Sequence, residues 1–470
     1  MPAPFLFVGL PLACAPLVYL LRRWRRVETL LAAGLALLLT LLALSLPLDQ
    51  PLILFGGMIV RGSTTVLGRA FEIEPADRLA LAFTFSQAAA LFLGAGLHGA
   101  GRYYQSAGLA ILGLIAAALF VRPFLFAALF LEIAAAVAVF MLGDETRPVT
   151  RGALRFLVFM TLGMPFILLS GWLIESSAAS PEDVSFIARA TVLLAVGSAV
   201  LMAVAPFHSW LPVVAEHSPP LAAAFVFTVM RLIPIFLLLN FLGAYDWLGQ
   251  NPAVYRALTV AGSGMALIGA LFAFGQRNFG RSMGYALMVD IGAALLAIGL
   301  GTPAGVEAAL GTLALRGVAL PVWGIAVDQL RRAAGSDDFD ALRGFGRRYP
   351  FAATALLLSL LSLIGFPLTA GFPARWALLY LLAHIHPTGA ILLLAGMVSI
   401  GFVCARGLNA LLTPVADEEE RQDAPRWLEK PSAAVLYSLG AAVILILGAF
   451  PQLLLPLVAG TASVFAGAGP

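Results

Sequence analysis

Long apolar runs, each about the length of a bilayer-crossing helix, alternate with short polar loops along almost the whole chain. The candidates are residues 3–21, 28–47, 77–97, 105–121, 123–142, 152–174, 187–206, 219–243, 254–275, 281–300, 304–327, 350–382, 388–411 and 434–457. One crossing needs about 20 consecutive apolar residues. Backbone groups in hydrocarbon must find partners inside their own segment, so each run reads as a helix. The pattern predicts an all-α polytopic membrane protein of about 14 transmembrane helices. The 350–382 run is too long for one straight helix. Residues 51–76, rich in Gly and Thr, predict a short extracytoplasmic hairpin. The 3–21 run lacks a basic segment before it and a small-residue cleavage site. Its arginines (Arg22, Arg23, Arg25, Arg26) follow it, which marks a retained first span.

Composition agrees. Of the 470 residues, 61% are hydrophobic and only 11% charged, with mean hydropathy +0.96. A soluble domain carries roughly a quarter charged residues, so lipid must be the main solvent of this chain, and no polar stretch is long enough for a separate soluble domain. Most of the 28 basic residues fall in loops after odd-numbered spans, for example Arg102, Arg151, Arg277, Arg331, Arg332, Arg347 and Arg426. Basic loops stay on the cytoplasmic side, which predicts both termini on the extracytoplasmic side of the inner (cytoplasmic) membrane. The acidic run Asp417–Glu420 reads as a solvated cytoplasmic loop. Cys14 and Cys404 lie in apolar segments and read as buried thiols. No CxxC, His/Cys cluster, strand-linked GxGxxG or Walker sequence occurs, so no cofactor, metal or nucleotide site is expected, and no nucleic-acid partner.

Two segments look broken: Pro206-Phe207-His208-Ser209-Trp210-Leu211-Pro212, and Gly365-Phe366-Pro367-Leu368-Thr369-Ala370-Gly371-Phe372-Pro373. Proline removes a helix donor and clashes with the preceding turn. Paired Pro/Gly interruptions in the two halves of a membrane protein point to inverted repeats around a transport path. Ionisable groups also occur inside or near the spans, namely Glu132, Arg231, Asp290, Arg316, Asp328 and Arg375. Each costs about 3 kcal/mol or more at the bilayer centre and so marks a functional position by default. Asp328 and Arg375 also read as helix-end residues, and arginine can snorkel. Taken in order, the alternating signs suggest a buried polar axis.

Pro206 to Pro212, followed by Ser218-Pro219, resembles the signature of the antiporter-like membrane subunits. These are the three large membrane-arm subunits of respiratory complex I, with relatives in multisubunit cation/proton antiporters and membrane-bound hydrogenases. Ala153-Leu154-Arg155-Phe156, Phe274-Gly275-Gln276 with Arg281 and Tyr285, Leu342-Arg343-Gly344-Phe345 with Pro350, and Ser362-Leu363-Ile364-Gly365-Phe366-Pro367 with Ala370-Gly371-Phe372 resemble further family motifs in the same order. The resemblance covers roughly residues 120–410. The wording around Pro367 is most similar to the N-type subunit.

The resemblance implies two inverted five-helix repeats with two discontinuous helices. The parts expected are an N-terminal three-helix segment (1–104), repeats over 105–243 and 254–411, and a cytoplasmic loop with a C-terminal helix (412–470). It implies no catalytic residue of its own. The expected role is that of a membrane subunit in an NADH-quinone oxidoreductase-like or hydrogenase-like complex, passing protons or sodium ions beside other membrane subunits. The family's axis uses a glutamate, matched by Glu132, and lysines at positions that here are Leu201, Arg231 and Arg375. A family histidine position is Asp290. The lysine of this chain is Lys430, in a predicted loop. Lysine can lose its proton when buried, whereas arginine keeps its own. The expected pathway residues are therefore Glu132, Arg231, Asp290, Arg316 and Arg375, in a lysine-free axis. Pro206, His208, Trp210, Pro212, Gly365, Pro367 and Gly371 are expected to shape the breaks. The alternatives are a scaffold paralogue without a pathway of its own and a subunit of a multisubunit cation/proton antiporter.

Overall fold

The computed structural model describes residues 3–45, 52–54, 58–60, 62–66, 68–143, 150–179, 185–413 and 427–466. The acidic run Asp417–Glu420 lies outside these, as do parts of the 51–76 segment. Among the described residues, 11 helices are long and apolar enough to cross a membrane, and four shorter apolar helices accompany them.

In chain order the helices are α1 (Ala3–Leu20), α2 (Arg25–Ser45), α3 (Asp77–His98), α4 (Tyr104–Phe120), α5 (Ala127–Leu142), α6 (Arg151–Ala179), α7 (Ser185–Leu201), α8 (Trp210–His217) and α9 (Pro220–Phe225). After a π-helical turn at Val226–Met230 come α10 (Arg231–Ala244), α11 (Asp246–Gly249), α12 (Pro252–Phe274), α13 (Phe279–Gly299) and α14 (Pro303–Ala334). The last are α15 (Phe345–Arg348), α16 (Pro350–Leu363), α17 (Phe372–Ile385), α18 (Pro387–Leu412), α19 (Pro431–Ala449) and α20 (Leu455–Ala466). The helix starts are written locally. Asn251, Asn278, Thr302 and His386 each cap the first turn of the helix that follows by accepting a backbone N–H, and Pro occupies the first position of α12, α14 and α18.

Burial divides the bundle into a centre and a ring. The most hydropathic stretch of Pro220–Ala244 is 100% buried, that of α13 94% and that of α14 83%, against 28% in α1 and 17% in α19. A helix that is apolar all round and enclosed by others can carry a charge only where protein, not lipid, answers it. The centre is closely packed through small residues. A Cβ on Gly262 of α12 would stand 2.8 Å from the Gly292 carbonyl of α13, and a Cβ on Gly292 would stand 2.7 Å from the Gly262 carbonyl.

Both broken spans are discontinuous, as the Pro/Gly pattern predicts. The first ends as α7 at Leu201 and resumes through a 3₁₀ turn at Phe207–Ser209 into α8. The second ends as α16 at Leu363 and resumes as α17 at Phe372. Three details differ from the sequence reading. The 304–327 span extends to Ala334, so Asp328 lies inside α14 and is 2% exposed, not at a helix end. The 434–457 span ends at Ala449, because Pro451 starts a 3₁₀ turn that separates α19 from α20. The 51–76 region forms more than one hairpin. Leu52–Leu54 pairs with Met58–Val60, while Ser63–Val66 pairs with Arg69–Glu72, which pairs in turn with Val121–Arg122 after α4.

The second break depends on two glycines. Gly365 has φ +73°, a left-handed conformation that L side chains avoid. Gly371 lies so close to the end of α16 that an added Cβ would sit 1.8 Å from the Ser362 carbonyl oxygen. Gly371→Ala is expected to force the α16–α17 break apart and to destabilise the subunit by about 2 kcal/mol or more. Thermal unfolding of the purified assembly, with retention of the subunit as readout, checks this.

Candidate functional site

The two breaks use one device. A helix C-terminus leaves carbonyl oxygens without intrahelical donors and is the negative end of the helix dipole. At the first break Arg231, the first residue of α10, donates from Nη2 to the Met202 carbonyl at 2.5 Å. At the second, Arg375 of α17 donates from Nη2 to the Leu363 carbonyl at 3.0 Å. Each guanidinium thus plugs the frayed end of a discontinuous helix.

Arg231 reaches this position because its own helix is irregular. The π turn at Val226–Met230 widens the backbone immediately before it, and Pro234 supplies no N–H one turn later. The guanidinium carbon stands 5.4 Å from the ring centroid of Trp210, a cation–π contact with the start of α8. Trp210 also packs 5.0 Å from Phe156, which ties α6 to the same break.

Asp290, in the middle of α13, stands between two arginines. Arg316 of α14 donates from Nη1 to Oδ2 at 2.9 Å, and Arg375 donates from Nη2 to Oδ1 at 2.8 Å. The carboxylate and both guanidinium groups are buried. The structure therefore gathers Arg316, Asp290 and Arg375 into one hydrogen-bonded ion cluster. Arg231, 5% exposed, lies within electrostatic reach of Arg316 and Asp290. Its Nε and Nη1 have no hydrogen-bond partner among the described residues, nor has Nη1 of Arg375.

Glu132 is placed differently. It is half-buried on α5, beside the exposed Leu129, Ile133 and Ala136, and its Oε2 has no hydrogen-bond partner among the described residues. No ion pair joins it to Arg231, Arg316 or Arg375. Leu201, where the family pattern has a cation, is packed in the apolar core. His208 is half-buried with Nδ1 unpartnered, and Pro212 lies in the first turn of α8. Gly365, Pro367 and Gly371 form the turn that delivers Arg375 to Asp290. No group of three or more His, Cys, Asp or Glu side chains among the described residues is placed to hold a metal ion.

A second polar cluster is not visible in the sequence pattern. Asp328 Oδ2 lies 3.2 Å from His98 Nδ1, and accepts from Arg332 Nε at 2.7 Å. The other ring nitrogen of His98 is 2.8 Å from the Tyr437 hydroxyl. Asp328 was legible as an intramembrane charge and Arg332 as its i+4 neighbour. His98 and Tyr437 come from α3 and α19, 230 residues before and 109 after Asp328, and no local spacing links them.

Residues 188–402 match the family model "NADH:quinone oxidoreductase/Mrp antiporter, TM". An NADH-quinone oxidoreductase subunit N from Halorhodospira halophila is 27% identical over 332 residues, covering 67% of this chain and 68% of its own. The fold is shared with a chain of the Mrp complex from Dietzia (TM-score 0.83, 17% identity, covering 99% of this chain and 97% of that one). It is also shared with a chain of respiratory complex I from Thermus thermophilus (TM-score 0.79, 22% identity, 99% of each chain). With two discontinuous helices meeting buried charges at their breaks, this multi-pass chain is similar over residues 188–402 to the antiporter-like membrane subunits of NADH:quinone oxidoreductases and Mrp antiporters.

Proposed function

We propose that this chain is a membrane-arm subunit of a complex I-like, proton-translocating assembly, working through an arginine-containing, lysine-free axis. The observation that carries this reading is the buried Arg316–Asp290–Arg375 cluster seated on a broken helix. Burying ions without functional gain is costly, and a hydrophobic cluster of the same volume would be at least as stable. Relatives bearing the family's name are subunits of respiratory and antiporter complexes, which supports other membrane subunits as partners and the inner membrane as location. The arginine-rich odd loops support both termini on the extracytoplasmic side. The position of each broken span as the fourth of five supports repeats over 105–243 and 254–411.

In this reading arginine does not store the proton. It keeps its charge at any working pH, and Asp290 accepts a hydrogen bond from each of two guanidinium groups. Their part is to orient hydrogen-bonded groups by charge. Nε and Nη1 of Arg231 and Nη1 of Arg375 are buried donors without a hydrogen-bond partner among the described residues. Glu132 is the intramembrane carboxyl group assigned to the pathway in the first half.

One observation favours the scaffold alternative. Leu201, at the end of α7, is apolar where the resemblance implies a cation, and no ion pair among the described residues joins Glu132 to that break. The two readings separate on Glu132→Gln in the assembled complex, with protons moved per turnover measured at unchanged subunit content. A large loss is expected; unchanged translocation would leave a scaffold and sink the proton-pathway reading.

The charge balance generates a second expectation. Asp290→Asn leaves Arg316 and Arg375 buried without a counter-charge, and breaking a buried pair this way costs about 3–5 kcal/mol. A fall in the unfolding temperature of the complex is expected, smaller when Arg316→Met is introduced together with it.

A further inference from the structure

We infer that His98, Asp328 and Tyr437 form a second proton-transfer site, through which protons pass between the arginine-rich face and the interior beside α14. The inference rests on the proton-pathway reading above and adds an entry point to it. None of the three residues belongs to the family's axis positions as matched in this sequence.

The three groups come from three helices and are enclosed. The side chains of His98 and Asp328 are each 3% exposed, and Tyr437 is 2% exposed. One end of the chain reaches the surface. Arg332, half-exposed, donates to Asp328 from the last turn of α14. The other end opens on a mostly apolar groove of about 240 Å³ between α3, α14 and α19, in which Ser86, Gln87 and Tyr437 carry the polar side chains. Gln87 lies directly over Gly317, where a Cβ would come within 1.8 Å of its amide nitrogen. Gly317 follows Arg316, the partner of Asp290. Asp328 and Arg316 are thus two levels of one helix, about 18 Å apart at 1.5 Å per residue, and the groove runs beside the stretch that joins them.

The hydrogen-bond chemistry is directional. A neutral imidazole has one donor and one acceptor nitrogen. The Nδ1–H tautomer satisfies both contacts, donating to Asp328 and accepting the Tyr437 O–H. When a proton is added to the Tyr437 oxygen from the groove, the tyrosine's own proton moves to Nε2. The imidazolium then releases Nδ1–H to Asp328 Oδ2, and the carboxylic acid discharges to water beside Arg332. Each step forms one bond to hydrogen and breaks one. The ring is left as the Nε2–H tautomer, and it returns to the Nδ1–H tautomer by losing the Nε2 proton and gaining one at Nδ1 while its two contacts are broken; uptake from the surface is the reverse sequence. Histidine is suited to this because its charge changes near neutral pH.

The other groups facing the cluster set its field. Arg332 neutralises Asp328 from α14. Arg25 of α2 approaches the backbone at Gly99, next to His98. Tyr104 of α4 lies within the field of Asp328, and its hydroxyl donates to the Leu221 carbonyl. Glu429, ahead of α19, acts on Tyr437. Two cations therefore offset two carboxylates around one titratable imidazole.

The test uses the intact complex in sealed vesicles, with proton translocation followed across neutral pH in His98→Gln, Tyr437→Phe and Glu132→Gln. Tyr437→Phe keeps the ring and its packing, and so decides the matter if His98→Gln reduces subunit content. A loss of about a hundredfold or more is expected in both relay variants, with the pH dependence of the remaining activity flattened. A uniform loss with an unchanged pH profile would mark a structural latch and overturn the proposal. So would parental translocation in both relay variants while Glu132→Gln is impaired; the pathway reading would then stand without this entry. Parental translocation in all three removes the pathway reading and the relay together.

Discussion

One carboxylate, Asp290, holds the centre of this protein together. It divides its two oxygens between Arg316 and Arg375, and so joins α13, α14 and α17 at a depth where no lipid or bulk water could answer their charges. A guanidinium at such a site needs both a counter-ion and hydrogen-bond acceptors. The carboxylate supplies the first, and the end of α16 supplies the second through the Leu363 carbonyl. The broken helix is therefore as much a part of the ion cluster as the side chains are. Straightening it would withdraw the acceptor, and removing the charges would leave a frayed helix end in an apolar core.

The two halves of the chain share the break and differ in what it serves. In each, a proline-containing interruption leaves a carbonyl that an arginine occupies. In the second half the arginine lies on the resuming helix itself and reaches an acid. In the first half it comes from the next span, at Arg231, and the acid, Glu132, stands apart on the outer side of α5. Leu201, the last residue of α7, is apolar and packed in the core, so that helix end carries no charge of its own. The asymmetry leaves one half with a locked ion cluster and the other with a free carboxyl group.

The layering of the bundle explains why those charges are tolerated. α10, α13 and α14 are enclosed almost all round, while α1, α2, α6, α18 and α19 turn most of their surface outward. Arginine and aspartate occur inside the enclosed helices, where carbonyls, a tryptophan face and opposite charges are within reach. On the outer helices comparable groups stand at the ends, as Arg22 and Arg25 do.

The sequence by itself determined the helical class, the order and approximate limits of the spans, the two breaks and the intramembrane charges. These are local properties. A bilayer-length apolar run, a proline without its N–H or a glycine at a turn constrains the backbone whatever surrounds it. Only the tertiary structure decided which charges meet. Asp290 pairs with residues 26 and 85 positions away, and His98 meets Asp328 across 230. Such pairings depend on how helices rotate and cross, which the sum of many packing contacts sets and no single segment encodes. For the same reason Glu132, Arg231 and Asp290 looked alike as isolated charges in apolar runs. Packing placed one on the rim, one at a helix break and one at the centre of an ion cluster.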